Sequence, residues 1–433
     1  MSPSSTSRPC AFAALLVAAL AGCATPARLP IEESIGPHPV LPPPAPSTIP
    51  TVNIAPRVGW PEGAMPMAAD GYAVDAFAAD LDHPRWLYVL PNGDVLVAET
   101  NRPPRPAPPF SLRRWFQQKF MQKAGAAVPS ANRVTLLRDS DGDGYAEIRS
   151  VLLSELFHPF GLSLVGDHLY VANADAVVRF PYALGDTAIT AAAEHVADLP
   201  GGPINHHWTK SLVASEDGER LYVGVGSNSN IGERGMDHEV DRAAVLEITL
   251  ATGATRVFAS GLRNPVGMDW EPETGALWVA VNERDELGSD LVPDYMTAIQ
   301  DGDFFGWPYS YYGDIVDSRV QPQRPDLVAR AKKPDYALGA HTASLGLVFG
   351  HGGAYVGQHG SWNRAPKSGY KVIFIPFNEG VPSGPPRDVL TGFLNARDEA
   401  QGRPVGVVVD RSGAVLVADD VGNVVWRVVR TQR

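Results

Sequence analysis

A chain of 433 residues, 44% apolar and 19% charged, can bury the core of one large domain or of two ordinary ones. Its net charge of −12 excludes a phosphate-tracking nucleic-acid binder, so no nucleic-acid partner is expected. Abundant Gly (42) and Pro (39) favour many short strands and turns over long helices.

At the N-terminus, Arg8 precedes "CAFAALLVAALAGC", a signal-peptide pattern too short to span a bilayer comfortably. The tetrapeptide "LAGC" ends at Cys23 and resembles a bacterial lipobox, in which the Cys is diacylated and becomes the first residue of the mature chain. Residues 1–23 are therefore expected to be a lipoprotein signal peptide with Cys23 as the lipidation site. The protein would then be held on the periplasmic side of a bacterial membrane by its lipid alone. The alternative is an ordinary signal peptide and secretion to the periplasm. Since Cys10 leaves with the signal, the mature chain would carry no free thiol, which excludes cysteine catalysis, thiolate zinc sites and disulfides. Residues 24–68, with "IGPHPVLPPPAPSTIP", read as an extended, polyproline-like tether, and 69–433 as the folded domain.

Within that domain one grammar recurs: polar anchor, apolar run, turn pair, second apolar run, polar exit. It appears in "DHPRWLYVLPNGDVLVAETN" (82–101), "HPFGLSLVGDHLYVANAD" (158–175) and "INHHWTKSLVASEDGERLYVGVGSNSN" (204–230). It returns in "RNPVGMDWEPETGALWVAVNERD" (263–285), "ASLGLVFGHGGAYVGQHGSW" (343–362) and "RPVGVVVDRSGAVLVADDVGN" (403–423). Six copies about 50–80 residues apart predict an all-β, six-bladed β-propeller of four-stranded antiparallel blades. Two separate β-domains are the alternative, and the even spacing argues against them. A hairpin returns its second strand to where the first began. The exits Glu99, Asn173, Ser227, Asn282, His359 and Asp419 should therefore share one face with the anchors His83, Arg85, His158, His207, Arg263, Ser344 and Arg403. A polar ring over a central depression suits a polar ligand.

Two stretches stand apart from the repeat. Residues 102–123, "RPPRPAPPFSLRRWFQQKFMQK", are a basic, aromatic insertion, read as a cover over the propeller edge or as a face toward a membrane or an electron acceptor. "DSDGDGYAE" (139–147) resembles the start of an EF-hand loop, making Asp139, Asp141 and Asp143 a second candidate metal site. Its twelfth position is Ser150 rather than Glu, and a plain hairpin turn explains the stretch equally well.

The motifs "HHWTKSL", "LYVGVGSNSN", "LRNPVGMDW", "FGWPYSYYG" and "GQHGSWNRAPKSGYKV" occur in one order across about residues 70–430. Together they resemble the sorbosone dehydrogenase group of the PQQ-dependent soluble sugar and aldose dehydrogenases. The resemblance implies PQQ and Ca2+ as cofactors and a sugar or sugar aldehyde as substrate. It also implies hydride transfer to PQQ and an external electron acceptor, a quinone or a cytochrome. By that resemblance His207 is the general base, and Arg263 with Asn264 supports the oxyanion edge of the quinone. Lys367, Arg403 and Arg364 are then the cations for the PQQ carboxylates, with Val405 where the family often has a second Arg. Ser227 stands where the family often has a carboxylate that orients the base; Asp237 or Glu239 is a candidate substitute. The resemblance places calcium on the backbone carbonyls of Glu283 and Arg284, with the Asp285 or Glu286 side chain nearby. In a strand His206 would point away from His207. Trp208, Trp362, Trp307 and Tyr309 are candidates for stacking on sugar or quinone, and for Trp307 packing is the favoured reading.

Two other functions fit the same residues. A calcium-dependent, lactonase-like hydrolase would draw ligands from Glu99, Asn173, Asn282 and Asp419. A non-catalytic binding propeller of the envelope would not depend on His207, Arg263 or Lys367.

Overall fold

The computed structural model describes residues 26–46, 51–104 and 128–431. It is a six-bladed propeller. The first blade comprises Pro84–Val89, Val95–Glu99, Arg133–Arg138 and Ile148–Leu153; the second comprises Gly161–Val165, His168–Ala172, Ala176–Pro181 and Glu194–Asp198. Lys210–Ala214, Arg220–Val225, Ala244–Thr249 and Ala254–Ser260 form the third, and Pro265–Trp270, Leu277–Val281, Pro293–Ile299 and Tyr336–Ala340 the fourth. Ser344–Gly350, Gly353–Gln358, Lys371–Asn378 and Arg387–Thr391 make the fifth. The sixth joins Pro404–Val409, Val415–Asp419 and Val424–Arg430 to Tyr72–Ala78 from the start of the domain. That last pairing, Tyr72 opposite Arg430 through Ala78 opposite Val425, closes the circle with hydrogen bonds between the two ends of the domain.

Second strands such as "VLVAE", "LWVAV" and "VLVAD" are buried at every position. A strand covered on both faces by neighbouring blades reads as a continuous apolar run. The outer strand Ala254–Ser260, by contrast, is exposed along its first four residues.

The innermost strands form a closed ring, each packed on the next around the axis. Their approach is set by missing side chains. A Cβ placed on Gly346 would lie 2.4 Å from the Val405 carbonyl oxygen, and one on Gly267 would lie 2.5 Å from that of Leu345. Beneath the polar ends of these strands the axis is plugged by Trp86, Phe160, Trp208, Val266, Leu345 and Val405, residues drawn from all six blades into one buried cluster. Trp208 is thus part of the floor: it packs edge-on against Phe160 at 5.8 Å and is not free to stack on a ligand.

The stretch expected to be a tether is laid along the blades. Ile35–Gly36 adds a short strand to the fourth blade and Met67–Ala68 adds one to the fifth. Between them, the Asn53 N–H donates to Trp362 O at 2.7 Å, and the Trp60 indole donates to Asp419 Oδ2 at 2.7 Å.

Gly346→Ala is expected to lower stability by at least ~1–3 kcal/mol, because the added methyl meets backbone rather than a flexible side chain. A lower denaturant midpoint checks this; an unchanged midpoint would contradict the backbone-to-backbone packing.

Candidate active site

His207 precedes the inner strand of the third blade, and Ser227 follows the strand that pairs with it. The imidazole Nδ1 lies 2.8 Å from Ser227 O and 3.0 Å from Ser227 Oγ. Ser227 Oγ donates onward to Ser229 O at 2.7 Å, so toward the ring it is an acceptor. Both contacts demand a proton on Nδ1, which leaves Nε2 bare. Burial, then the neighbouring His206 and Arg263, hold this imidazole well below its ordinary pKa, in the neutral form. A Cβ on Gly226 would fall 2.5 Å from His207 Cβ and 2.2 Å from Asn264 Oδ1, so both side chains lie over that glycine. The Ser227 N–H donates to Arg263 O at 2.8 Å. His207, Ser227, Arg263 and Asn264 are therefore contiguous.

His206 does not point away. Residues 205–209 precede the strand, Asn205 has φ 34, and the two imidazoles meet edge to face at 4.7 Å. Without strand geometry the alternation of faces is lost. Behind them, buried Arg242 donates to His207 O at 3.1 Å and to Asn205 Oδ1 at 2.8 Å, and fully buried Lys210 donates to Trp208 O at 3.2 Å. Neither cation stands out in the sequence. Glu239 receives the Asn228 N–H at 2.7 Å and the Ser229 hydroxyl, shaping the loop beyond Ser227 without touching His207; Asp237 is exposed.

Arg263 is buried and held on every side. It donates to Glu283 O, to Asn230 Oδ1 at 3.0 Å and to Asp285 Oδ2 at 2.9 Å. Asp285 Oδ1 accepts from Asn363 Nδ2 at 2.8 Å, and His341 lies 3.6 Å away. Burial alone would raise the Asp285 pKa, but Arg263, His341 and Asn363 outweigh it and hold the carboxyl below the usual range. In the loop expected to carry calcium, the Glu283 carbonyl thus already has a donor. The Arg284 side chain turns inward to Asp317 at 3.1 Å, and Glu286 pairs with Arg319 at 3.0 Å. Burial pushes the Glu283 carboxyl up to about 7.

A second cluster is not legible as a unit in the sequence. Asp420, one residue past the last polar exit, is buried and accepts from Arg85 Nη1 and from His359 Nε2 at 3.0 Å. Its backbone carbonyl lies 2.8 Å from His83 Nδ1. Burial opposes the Asp420 charge, yet His359, His83 and Arg85 together keep the carboxyl well below its ordinary value. The repeat marks these anchors, but it points to Asp419 and not to Asp420, their common partner. The hairpin pairs Pro404 with Asp419, which turns Asp419 toward Arg403 N, Trp60 and Trp426 and leaves the next residue to reach across.

The cations expected for cofactor carboxylates have separate fates. Arg403 lies over the Tyr370 ring at 5.4 Å and donates to Ala55 O at 3.0 Å, and its Nε has no partner. Lys367 donates to Asn53 Oδ1 at 2.8 Å and faces exposed Asp398 at 3.5 Å. Arg364 is fixed to Ser289 O at 3.1 Å and Pro366 O at 2.8 Å. Trp307 is buried, with its indole donating to Asn230 O at 2.9 Å. Of the oxygens a hydrolase would need, those of Glu99 are taken by Arg133, Thr135 and the Asp82 N–H. Asp419 is likewise surrounded by donors, among them Trp60, Trp426 and the Arg403 and Gly422 N–H groups. Far from the hub, Asp139, Asp141, Asp143 and Glu147 bring one oxygen each to within 4.8 Å of one another, at the turn between the outer strands of the first blade. Glu147 closes that group; Ser150 lies in the following strand. Residues 105–127, which include most of the basic insertion, and Cys23 lie outside the described residues.

A model of the TrAA12-like family matches residues 131–301 and 319–431. The chain belongs to the TrAA12-like family. Among curated proteins it is 26% identical to a pyrroloquinoline quinone-dependent pyranose dehydrogenase of Coprinopsis cinerea, a match covering 67% of this chain and 48%, about half, of that protein. Among solved structures, the family AA12 enzyme of Trichoderma reesei superposes with a TM-score of 0.69 at 18% identity, covering 88% of this chain and 99% of that one. The holo form of the Coprinopsis pyranose dehydrogenase PQQ domain gives a TM-score of 0.68 at 22% identity, covering 84% and 97%. These structural likenesses speak to the fold.

The hub residues of this family member suit an anionic, polar group. Among the described residues the Arg403 guanidinium has no carboxylate in contact and bonds only a backbone carbonyl, which suits an anion, whereas the buried Asn264 Oδ1 and Asn363 Oδ1 are acceptors and suit a hydrogen-bond donor of the same group.

Acid should loosen the hub. Burial lowers the His83 pKa to about 4 even though Asp420 lies 3.7 Å away, because that carboxylate is already shared with Arg85 and His359. The unfolded state then takes up the proton first, so stability is complete above the unfolded value of 6.5 and falls as pH drops through about 4. The loss expected from this residue is on the order of 3 kcal/mol. Urea midpoints at pH 7, 5 and 4 check it: the acid loss should shrink in His83→Gln, and an equal loss there would refute the assignment.

Proposed function

We propose that this protein oxidises a sugar or sugar aldehyde, of sorbosone, aldose or pyranose type, with PQQ and calcium, and passes the electrons to an external acceptor from the periplasmic side of a membrane. One observation carries the reading: a neutral imidazole with a bare Nε2 lies beside Arg263 and Asn264 over the plugged axis. The dehydrogenase named among its relatives supports the cofactor and the substrate class.

PQQ, when bound, supplies the two-electron acceptor. Everything else falls to the chain. His207 Nε2 takes the proton of the substrate hydroxyl, while Nδ1–H stays fixed on Ser227. Ser227 sets the tautomer by its carbonyl and hydroxyl but lends the imidazolium no full charge. Arg263, immobilised by Asp285 and Asn230, is a fixed cation that needs no reorganisation as negative charge develops nearby. Asn264 offers its amide beside it. Arg403 would pair with a cofactor carboxylate through a guanidinium that no carboxylate among the described residues touches, and Lys367 and Arg364 would support the rim. For calcium, the Arg284 carbonyl and the Glu283–Asp285 loop remain the proposed hub site, with Asp139, Asp141, Asp143 and Glu147 as a second, peripheral one.

A second reading of the base has its own support. His359 carries the carboxylate partner that His207 lacks, Asp420 at 3.0 Å from Nε2, which leaves Nδ1 bare. An imidazolium there is stabilised by full charge.

The test is reconstitution of the purified protein with PQQ and Ca2+, followed by dye reduction across a sugar panel. A bound-quinone spectrum, a raised melting temperature and sugar-dependent turnover are expected. His207→Ala should lower kcat by roughly 10²–10⁴-fold. Turnover that survives His207→Ala but is lost in His359→Ala would move the base to the Asp420 pair. The absence of both a quinone spectrum and a melting shift would rule PQQ out.

A further inference from the structure

A free polyproline-like spacer over residues 24–68 would reach about 140 Å at ~3.1 Å per residue and leave the domain to tumble beneath its anchor. The chain is fastened long before that. The Ala27 N–H donates to Ala365 O at 2.7 Å, and the Arg28 N–H donates to Asp290 Oδ2 at 2.8 Å. Further on, Ile35–Gly36 pairs into the fourth blade, and the Ala45 N–H donates to Leu287 O at 2.9 Å.

The place of fastening matters. Asp290 and Leu287 lie in the loop that carries Asp285, and Ala365 lies two residues from Asn363. The Asp285 and Asn363 side chains bond each other at 2.8 Å, and Asp285 bonds Arg263 at 2.9 Å. The chain is thus pinned at the hub rim, on the face that holds the candidate active site. Only four peptide units separate Cys23 from Ala27, a reach of at most about 14 Å. Among the described residues no helix is long and apolar enough to cross a membrane; the anchor in this proposal is the acyl group expected on Cys23 from the lipobox-like "LAGC".

We propose that the protein stands on its membrane with the hub face toward the lipid headgroups and the hairpin turns at Asp217-Gly218 and Ser412-Gly413 directed away. The partner is the bilayer surface, and the docked N-terminal segment sets the orientation. This rests on acylation of Cys23 and is independent of the redox chemistry.

Once Cys23 is acylated the mature chain has no other thiol, so single reporters are clean. The full acylated chain is placed in phosphatidylethanolamine–phosphatidylglycerol vesicles that contain a headgroup-quencher lipid. One variant carries a fluorophore at Ser318→Cys, exposed beside the Arg319–Glu286 pair on the rim. Another carries it at Glu216→Cys, exposed at a far turn. Quenching should be several-fold stronger at the rim. A long Gly/Ser insertion between Thr25 and Pro26 should abolish the difference, as it restores a flexible spacer. Equal quenching at both positions, a preference for the far turn, an unchanged ratio after the insertion, or a mass spectrum showing no acyl group on Cys23 would each overturn the proposal. The measurement needs no turnover, so it stands or falls apart from sugar oxidation.

Discussion

The approach of neighbouring inner strands governs this molecule. At Gly267 and Gly346 one blade's backbone lies directly on the next, close enough that a single methyl would collide with a carbonyl oxygen. Packing at that distance draws all six inner strands into a ring, and the ring fixes where their polar ends fall. The apolar plug below and the closing strand pair at the rim hold that geometry. Residues more than two hundred positions apart, such as Arg85 and Asp420, thereby become hydrogen-bonded partners.

On that platform two carboxylates organise the hub. Asp285 gathers Arg263, Asn363 and His341, while Asp420 gathers Arg85 and His359, with His83 on its backbone. Each is kept ionised by the cations and imidazoles around it, against the burial that opposes charge. The same burial keeps His207, His83 and His359 neutral. The result is a hub with fixed charges and uncharged bases, an arrangement suited to moving protons next to a bound anion. The N-terminal segment belongs to it, since Asn53, Ala55 and Trp60 contact Lys367, Arg403 and Asp419.

Much of this is legible in the repeat. Each copy encodes one hairpin, and a hairpin is local: its turn pair and its apolar runs decide its register with little help from the rest of the chain. That is why His207, Ser227 and Arg263 can be placed on one face, while Asn264 enters only through the family resemblance. Local reasoning fails where local structure stops. Opposite faces for His206 and His207 follow from strand geometry that begins only at Lys210. Asp419 stands out over Asp420 because nothing short-range tells the residue that staples a strand end from the next one, which spans to another blade. Arg242 and Lys210, holding the carbonyls beside the imidazole, are ordinary cations when read in sequence.

The sequence by itself determined the propeller, its blade count, the face on which polar ends converge and the core of the His207–Arg263 group, because all of these follow from hairpin periodicity and the parity of side chains along a strand. Only the tertiary structure decided which buried charges pair, that a proline-rich stretch lies on the hub instead of hanging free, and which candidate ligand oxygens are already engaged. Those outcomes depend on contacts between distant segments, where burial, hydrogen-bond geometry and neighbouring charge are set by the closed ring and not by any stretch of residues read alone.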